Sequence, residues 1–495
     1  MSGCKKFSHT ALVLKKALRF RATSRDQSAM TKPQRLLVLV GGGHAHIQVV
    51  ASLPQAVKRE LRCVLISDSH SAAYSGLVPA VVAGLTPEKN AYVELPVLAK
   101  HHDFLFLHAR VTNVDSQSRT IRFLPNGGGA ERTLRYDILS LDVGSTTAGI
   151  PTLSRNTGLR PRPVTDFKPF VIYTRPISDL MGSVSEFEAA AKSRVSTSRV
   201  VVAGGGPAGI ELALALDARL KRSLRECEVT LVSRNESFAD SFGRAAGNAA
   251  IAELKRRGVR LLLGVGVKVI DEKGGRLLLE DDGPEVDFDC LVVATGAAPH
   301  GWLSKATDLP LHHGWVVVGT DLRVKGTTNV FAAGDCVSFG ATFREDFPPK
   351  AGVYAVREGP VLCHNISTMV EGREPHAMKH FKPQKSFLSL LSTGDGRGIG
   401  SKYGLVFTGT WVYRLKNYID EAWQDKFRVP KNSELSDRGV DEEFDGTAAE
   451  GAAILHAAED VLTGDSFELQ LSVLKRMDRD EGFREKLVSV KIQDT

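Results

Sequence analysis

Two stretches of this chain repeat one arrangement: a short apolar run, three consecutive glycines, then residues at helical spacing. In the first, LLVLV ends at Val40 and is followed by Gly41-Gly42-Gly43-His44-Ala45-His46 and IQVVASL. In the second, RVVVA (199–203) runs into Gly204-Gly205-Gly206-Pro207-Ala208-Gly209 and IELALALDARL. A continuous apolar strand, a glycine-rich turn and a helix make the opening of a βαβ unit. CVLIS (63–67) and EVTLVS (228–233) supply the second strand of each. Two such openings about one domain apart predict an α/β chain with two dinucleotide-binding domains.

Length and charge agree with that reading. The 495 residues suffice for two to four domains, at roughly 100–200 residues each. No apolar run approaches the ~18 residues of a membrane-spanning helix, so membrane contact is expected to be peripheral. The formal net charge is +7, but residues 1–29 hold seven basic residues against one acid, Asp26. Without them the body is near neutral, which argues against a nucleic-acid partner. The basic, hydroxyl-bearing, acid-poor leader (1–30) reads as a mitochondrial or plastid transit peptide. A plain tail, or a start at Met30, is the alternative. The six cysteines form no CxxC or CxxxxC pair, so neither a disulfide scaffold nor a zinc site is expected.

The glycines carry the first chemical statement. Gly41 and Gly204 allow the tight turn, and Gly43 and Gly206 let backbone approach a pyrophosphate at the positive end of a helix. The second turn has the full GxGxxG; the first puts His46 at the third glycine position. His44 and His46 read as closing the turn, with no metal-type cluster around them. The acidic ribose partner expected after CVLIS falls on Ser67 or Asp68. After EVTLVS stand Ser233 and Arg234, with no acid. A carboxylate there favours the 2′-hydroxyl of NADH and an arginine the 2′-phosphate of NADPH, so NADPH is expected to serve at least as well. A solvated loop charge is the other reading of Arg234. Two further runs, LVVATGAAP (291–299) and TNVFAAGDC (328–336), end in small residues. Gly296 and Gly334 let backbone pass a cofactor, and Asp335 offers a carboxylate to a ribityl hydroxyl. LSLDVGSTT (139–147), with Gly144, is a weaker copy of the first.

Taken in order over residues 35–430, these motifs resemble the two-dinucleotide flavoproteins of the pyridine nucleotide–disulfide oxidoreductase superfamily. The likeness is to the branch of type II NADH dehydrogenases and sulfide:quinone reductases. VGGGHAH, YSGLVP (74–79), PKAGVYAVREGP (349–360) and FLSLLSTGD (387–395) are similar to the oxidoreductase domain fused to selenophosphate synthetase in some bacteria. The resemblance implies two Rossmann-like domains and an FAD cofactor with NADH or NADPH as co-substrate. Gly41, Gly42, Gly43, His44 and Ala45 would face the FAD pyrophosphate, with Val111 by the adenine and Asp335 on the ribitol. Lys350, Ala351, Gly352 and Val353 would lie at the flavin's pyrimidine edge. Gly204, Gly206, Pro207, Ala208, Gly209 and Glu211, with Thr295 and Gly296, would serve the nicotinamide nucleotide.

The implied activity is hydride transfer from NAD(P)H to FAD, then two electrons to an acceptor of the quinone kind. Lys350 is the candidate to stabilise negative charge near the reduced flavin; a surface ion pair is its alternative. YSGLVP lacks the cysteines of a dithiol enzyme, and Lys350-Ala351-Gly352 departs from the AQ-containing quinone motif. A sulfide- or selenide-oxidising flavoprotein using Cys336 or Cys363 is a second reading, and an accessory flavoprotein of selenium metabolism a third.

The expected divisions are a leader (1–30), an FAD domain in two parts (31–165 and 301–365), an NAD(P) domain (166–300), a β element with an amphipathic helix (366–430), and an acidic tail (431–495). Trp411, Leu415, Tyr418, Ile419, Ala422 and Trp423 share one helical face. With Arg414, Lys416 and Lys426 this suits peripheral membrane contact through 405–427; packing on the chain's own core, or in a homodimer, is the alternative.

Overall fold

The computed structural model describes residues 34–153, 167–281, 283–343, 347–384 and 388–429. The leader and the whole acidic tail, where the sequence suggests a last helix around Phe467 to Met477, lie outside the described residues.

The chain starts with β1 (Arg35–Val40), α1 (His44–Ser52) and β2 (Leu61–Ser67), and continues through β3 (Leu105–Asp115), β4 (Thr120–Pro125), β5 (Arg132–Arg135), β6 (Ile138–Leu141) and the short β7 (Thr146–Thr147). It then crosses to a second unit: β8 (Phe170–Tyr173), β9 (Ser198–Ala203), α2 (Pro207–Ser223), β10 (Cys227–Ser233), β11 (Arg260–Leu263), β12 (Cys290–Val293) and the two-residue β13 (Ala297–Ala298). On returning, it adds β14 (Val330–Ala332) to the first sheet and α3 (Gly352–Val370) above it. An antiparallel sheet of β15 (Ser389–Ser392), β16 (Gly398–Lys402) and β17 (Leu405–Gly409) leads into α4 (Thr410–Asp425).

The first sheet has the order β14-β6-β1-β2-β3-β4-β5, and the second β8-β12-β9-β10-β11. In both, the opening strand lies between a later strand and the next one, and all three run parallel. Strand order therefore reverses beside β1 and beside β9, where open α/β sheets bind ligands beyond the strand ends. The near-complete burial of Leu36 to Val40 and of Val200 to Ala203 explains their uninterrupted apolar sequence: both faces are covered. The glycines at 127–129 fall in the turn of the antiparallel hairpin β4–β5.

α3 passes through position 365 without a break, and Met378 and Phe381 beyond it join the core of the first unit. The Phe381 N–H bonds the Thr320 carbonyl at 2.7 Å. Residues beyond 365 thus pack on the first unit as far as Phe381, following a 19-residue helix that lies along α1.

Candidate functional site

The second turn shows the division of labour among its glycines. Gly204 has φ +132, and a Cβ there would fall 2.1 Å from the Ala294 carbonyl oxygen. A Cβ on Gly209 would fall 1.9 Å from the Gly204 oxygen, so this residue lets the helix sit on the strand. Gly206, by contrast, has nothing within 4 Å, and Pro207 and Ala208 are exposed. Gly296, at φ +109, is equally open. This is an open mouth at the N-terminus of α2, with the room and the field a pyrophosphate needs. Thr295 turns its hydroxyl away, donating to the Ala148 carbonyl at 2.5 Å. Ser233 is buried and accepts the Asn235 N–H at 3.2 Å. Arg234 is exposed, 3.2 Å from Glu280. Glu211 accepts the Ser392 N–H at 2.8 Å. Desolvation pushes its carboxyl up to about 7 against the opposing pull of Lys416. Its observed bond ties α2 to the C-terminal sheet.

The first turn repeats the geometry and then departs from it. Gly41 has φ +97 and the same close approach, its Cβ position 2.2 Å from the Asp142 carbonyl. A Cβ on Gly42 would meet Leu95, and one on Gly43 would meet the Asp142 carboxyl group at 2.1 Å. That carboxyl accepts the N–H groups of Ala45 at 2.9 Å and His46 at 3.1 Å. Sequence reasoning passed over Asp142. The available signal was alignment of LSLDVGS with LVVATGA, which sets Asp142 against Ala294. His46 closes the turn as expected, its ring bridging the Gly41 carbonyl and the Ser140 hydroxyl, both at 2.8 Å. Burial lowers it to about 4, so it is neutral. His44 is also lowered to about 4 by desolvation, and its Nε2 is enclosed without a hydrogen-bond partner. Its ring lies 5.5 Å from that of Tyr74 and 5.1 Å from that of Trp423.

Around this turn stand the other expected contacts. Gly144 is open at φ +67. Gly334 donates its N–H to Glu358 at 2.6 Å. Burial raises that carboxyl to about 8. Asp335 is paired with Arg175, whose guanidinium also reaches Ser145 and the Lys350 carbonyl. Arg175 follows β8, the first strand of the second unit, and carried no motif to reveal it. Lys350 donates its ammonium to the Val337 carbonyl and lies over the Trp315 ring, 4.5 Å from the centroid. Ala351 caps α3; Gly352 begins it, with a Cβ position 2.9 Å from the Ser75 hydroxyl; Val353 packs on the first core. The PKAG segment therefore meets YSG. Val111 is buried in β3 beside a register shift. At the outer rim, Ser67 is buried, while Asp68 is exposed and 3.8 Å from Arg110.

The helix α4 covers the same region from outside. Lys416 bonds Asp420 at 2.8 Å and the Gly76 carbonyl at 2.5 Å, and Tyr74 donates to Asp420 at 3.1 Å. Thus Val412, Leu415, Lys416, Asp420 and Trp423 face inward. Cys336 is fully buried, its thiol directed at the Ala333 and Leu141 carbonyls. Burial raises it to about 12, and raises Cys363, in α3, to about 11. Neither is an activated thiolate.

Residues 36–365 match the family described as pyridine nucleotide-disulphide oxidoreductase. The chain belongs to this family. It is 27% identical over 407 residues to ferroptosis suppressor protein 1 of Mus musculus, covering 80% of this chain and 96% of that one. It is 20% identical over 401 residues to a type II NADH:quinone oxidoreductase of Staphylococcus aureus, covering 79% and 95%. Among solved structures it is similar to the sulfide:quinone oxidoreductase of Aquifex aeolicus, with a TM-score of 0.63 at 16% identity over 81% of this chain and 94% of that one. The family uses FAD with NADH or NADPH, and the open glycines 144, 206 and 296 and the enclosed, unpartnered His44 Nε2 fit those groups.

Proposed function

We propose that this chain is an FAD-dependent NAD(P)H dehydrogenase that delivers two electrons to a quinone-type acceptor. The observation that carries the reading is the pair of glycine turns, each at a strand-order reversal. The buried thiols of Cys336, after β14, and Cys363, in α3, offer no dithiol to the flavin. Bound FAD supplies the hydride acceptor and NAD(P)H the hydride; with one solvent proton, NAD(P)H and quinone become NAD(P)+ and quinol. The relatives named as quinone oxidoreductases support this choice of acceptor.

The residues divide the work. The turns at 41–45 and 204–209 bind the two pyrophosphates. Asp335, oriented by its pairing with Arg175, receives a ribityl hydroxyl. Lys350 places a positive charge at the pyrimidine edge. Arg234 recruits the 2′-phosphate of NADPH in exchange for Glu280. The exposed Arg414 of α4 and Lys426 just after it, with Leu405, form the face for peripheral membrane contact. Mitochondrial placement rests on the composition of the leader.

Rapid mixing with NADH and NADPH, followed at the flavin absorbance band, then a panel of quinones, tests the whole. Bleaching by either nucleotide and recovery by a quinone are expected. Colourless protein that takes up no flavin, or bleached flavin that no quinone restores, ends the reading. Arg234→Ala should lower the NADPH/NADH ratio of kcat/KM by about tenfold; an unchanged ratio removes Arg234 from the site.

A further inference from the structure

The chain contains its own control for the first turn. Superposing the two units by sequence sets Gly41 on Gly204, His46 on Gly209, Ser140 on Val292 and Asp142 on Ala294. In the second unit these places are glycine or apolar, and the end of α2 is open. In the first they form a buried polar group. His46 bridges Gly41 and Ser140, and Asp142 occupies the first amides of α1. The substitutions depend on one another. Gly43 and Gly334 have no room for a Cβ because the Asp142 carboxyl lies within 2.3 Å of both positions.

A helix N-terminus attracts an anion through its unbonded amides and its dipole. Here a side chain of the chain itself already takes two of those amides. The groups facing it are mostly acidic or neutral: neutral His46 from α1, Asp335 and Cys336 after β14, and Glu358 from α3. The cations near the cluster, Arg175 and Lys350, act on Asp335 and Glu358. Burial raises Asp142 to about 7, so it changes charge near neutrality. As a neutral acid it leaves the field of α1 to the ligand; as a carboxylate it adds a like charge beside a dianionic pyrophosphate in a buried setting.

We infer that Asp142 is an internal competitor at the flavin cradle, which sets how firmly FAD is held and loosens that hold when it carries charge. The inference rests on FAD occupying the first turn. It makes Asp142 a positioning residue for the cofactor, outside the electron-transfer steps.

The test is release of flavin from the full-length holoprotein on dilution, read by recovery of flavin fluorescence between pH 5.5 and 9. The dissociation constant of the native protein is expected to rise about tenfold as pH passes through 7. Asp142→Asn keeps an oxygen for the Ala45 and His46 amides and should hold the low-pH value throughout. Glu358→Gln should retain the rise. A native constant that is flat with pH, an Asp142→Asn protein that still shows the rise, or a Glu358→Gln protein that loses it would each overturn the inference. Absence of flavin at every pH would instead defeat the cofactor assignment itself.

Discussion

Tyr74 and Trp423 stack with ring centroids 4.4 Å apart and planes 19° from parallel. One residue follows the second strand of the first sheet, and the other lies on the last helix of the described chain. The His44 ring leans on both, and the indole continues into the core through Phe427. The aromatic positions of α4 are thus divided: Trp423 closes over His44 at the first turn and is unavailable to a lipid surface.

Trp423→Ala should therefore destabilise the protein by about 3–5 kcal/mol, the range for deleting a large aromatic from a core. Trp423→Phe should lose much less. Thermal melting of the holoprotein reads both. An alanine variant that melts with the native protein would show that the stack does not hold α4.

Lys416 and Asp420 form a buried pair with Gly76 and Tyr74 attached. Lys416→Met leaves a buried carboxylate without its cation and is expected to cost about 3–5 kcal/mol. Adding Asp420→Asn should recover much of the loss. The midpoints of urea unfolding for the two single variants and the double variant close the cycle; additive losses would refute the coupling.

Gly206 and Gly209 separate binding from folding. Gly206→Ala has free space and should fold normally while weakening NADH binding about tenfold or more, since a methyl group enters the mouth of α2. Gly209→Ala places a methyl group against backbone and should lower the melting temperature by several degrees. Calorimetric titration with NADH and a melting curve distinguish them. The reverse pattern would mean that the open side of the turn is misassigned.

Glu358 and Asp142 are raised by burial to about 8 and about 7, from ordinary values of 4.5 and 3.8. The native state therefore retains protons that the unfolded chain releases, and stability falls as pH rises from about 4 to 8 before levelling. Glu358→Gln should give a shallower fall and a higher melting temperature at pH 8 than the native protein. Parallel curves across that window would show that Glu358 does not titrate there.

Much of this was legible because the glycine turns are local. A chain that must bend after an apolar strand and start a helix within six residues has few sequences available. The polar filling beneath the first turn was less visible, since Asp142 and Arg175 act on residues distant in sequence. His46 was seen as a turn element but not as the partner of Ser140. α4 showed its apolar face plainly, yet periodicity does not reveal that Lys416 points inward, because a cation is expected on the outer face until a buried acid such as Asp420 is found beside it. Nor does spacing show that α3 runs on through Gly359-Pro360 and past position 365, because a proline within a helical pattern reads as its end.

The two strands joining the units lie side by side, Thr147 against Ala297 and Thr146 against Ala298. The segment between them thus enters and leaves at one doorway, as an insertion does. It is a cassette whose ends already meet, so exchanging it for another coenzyme-binding module, or excising it and sealing the gap with a short turn, would leave the surrounding sheet with its strand order intact.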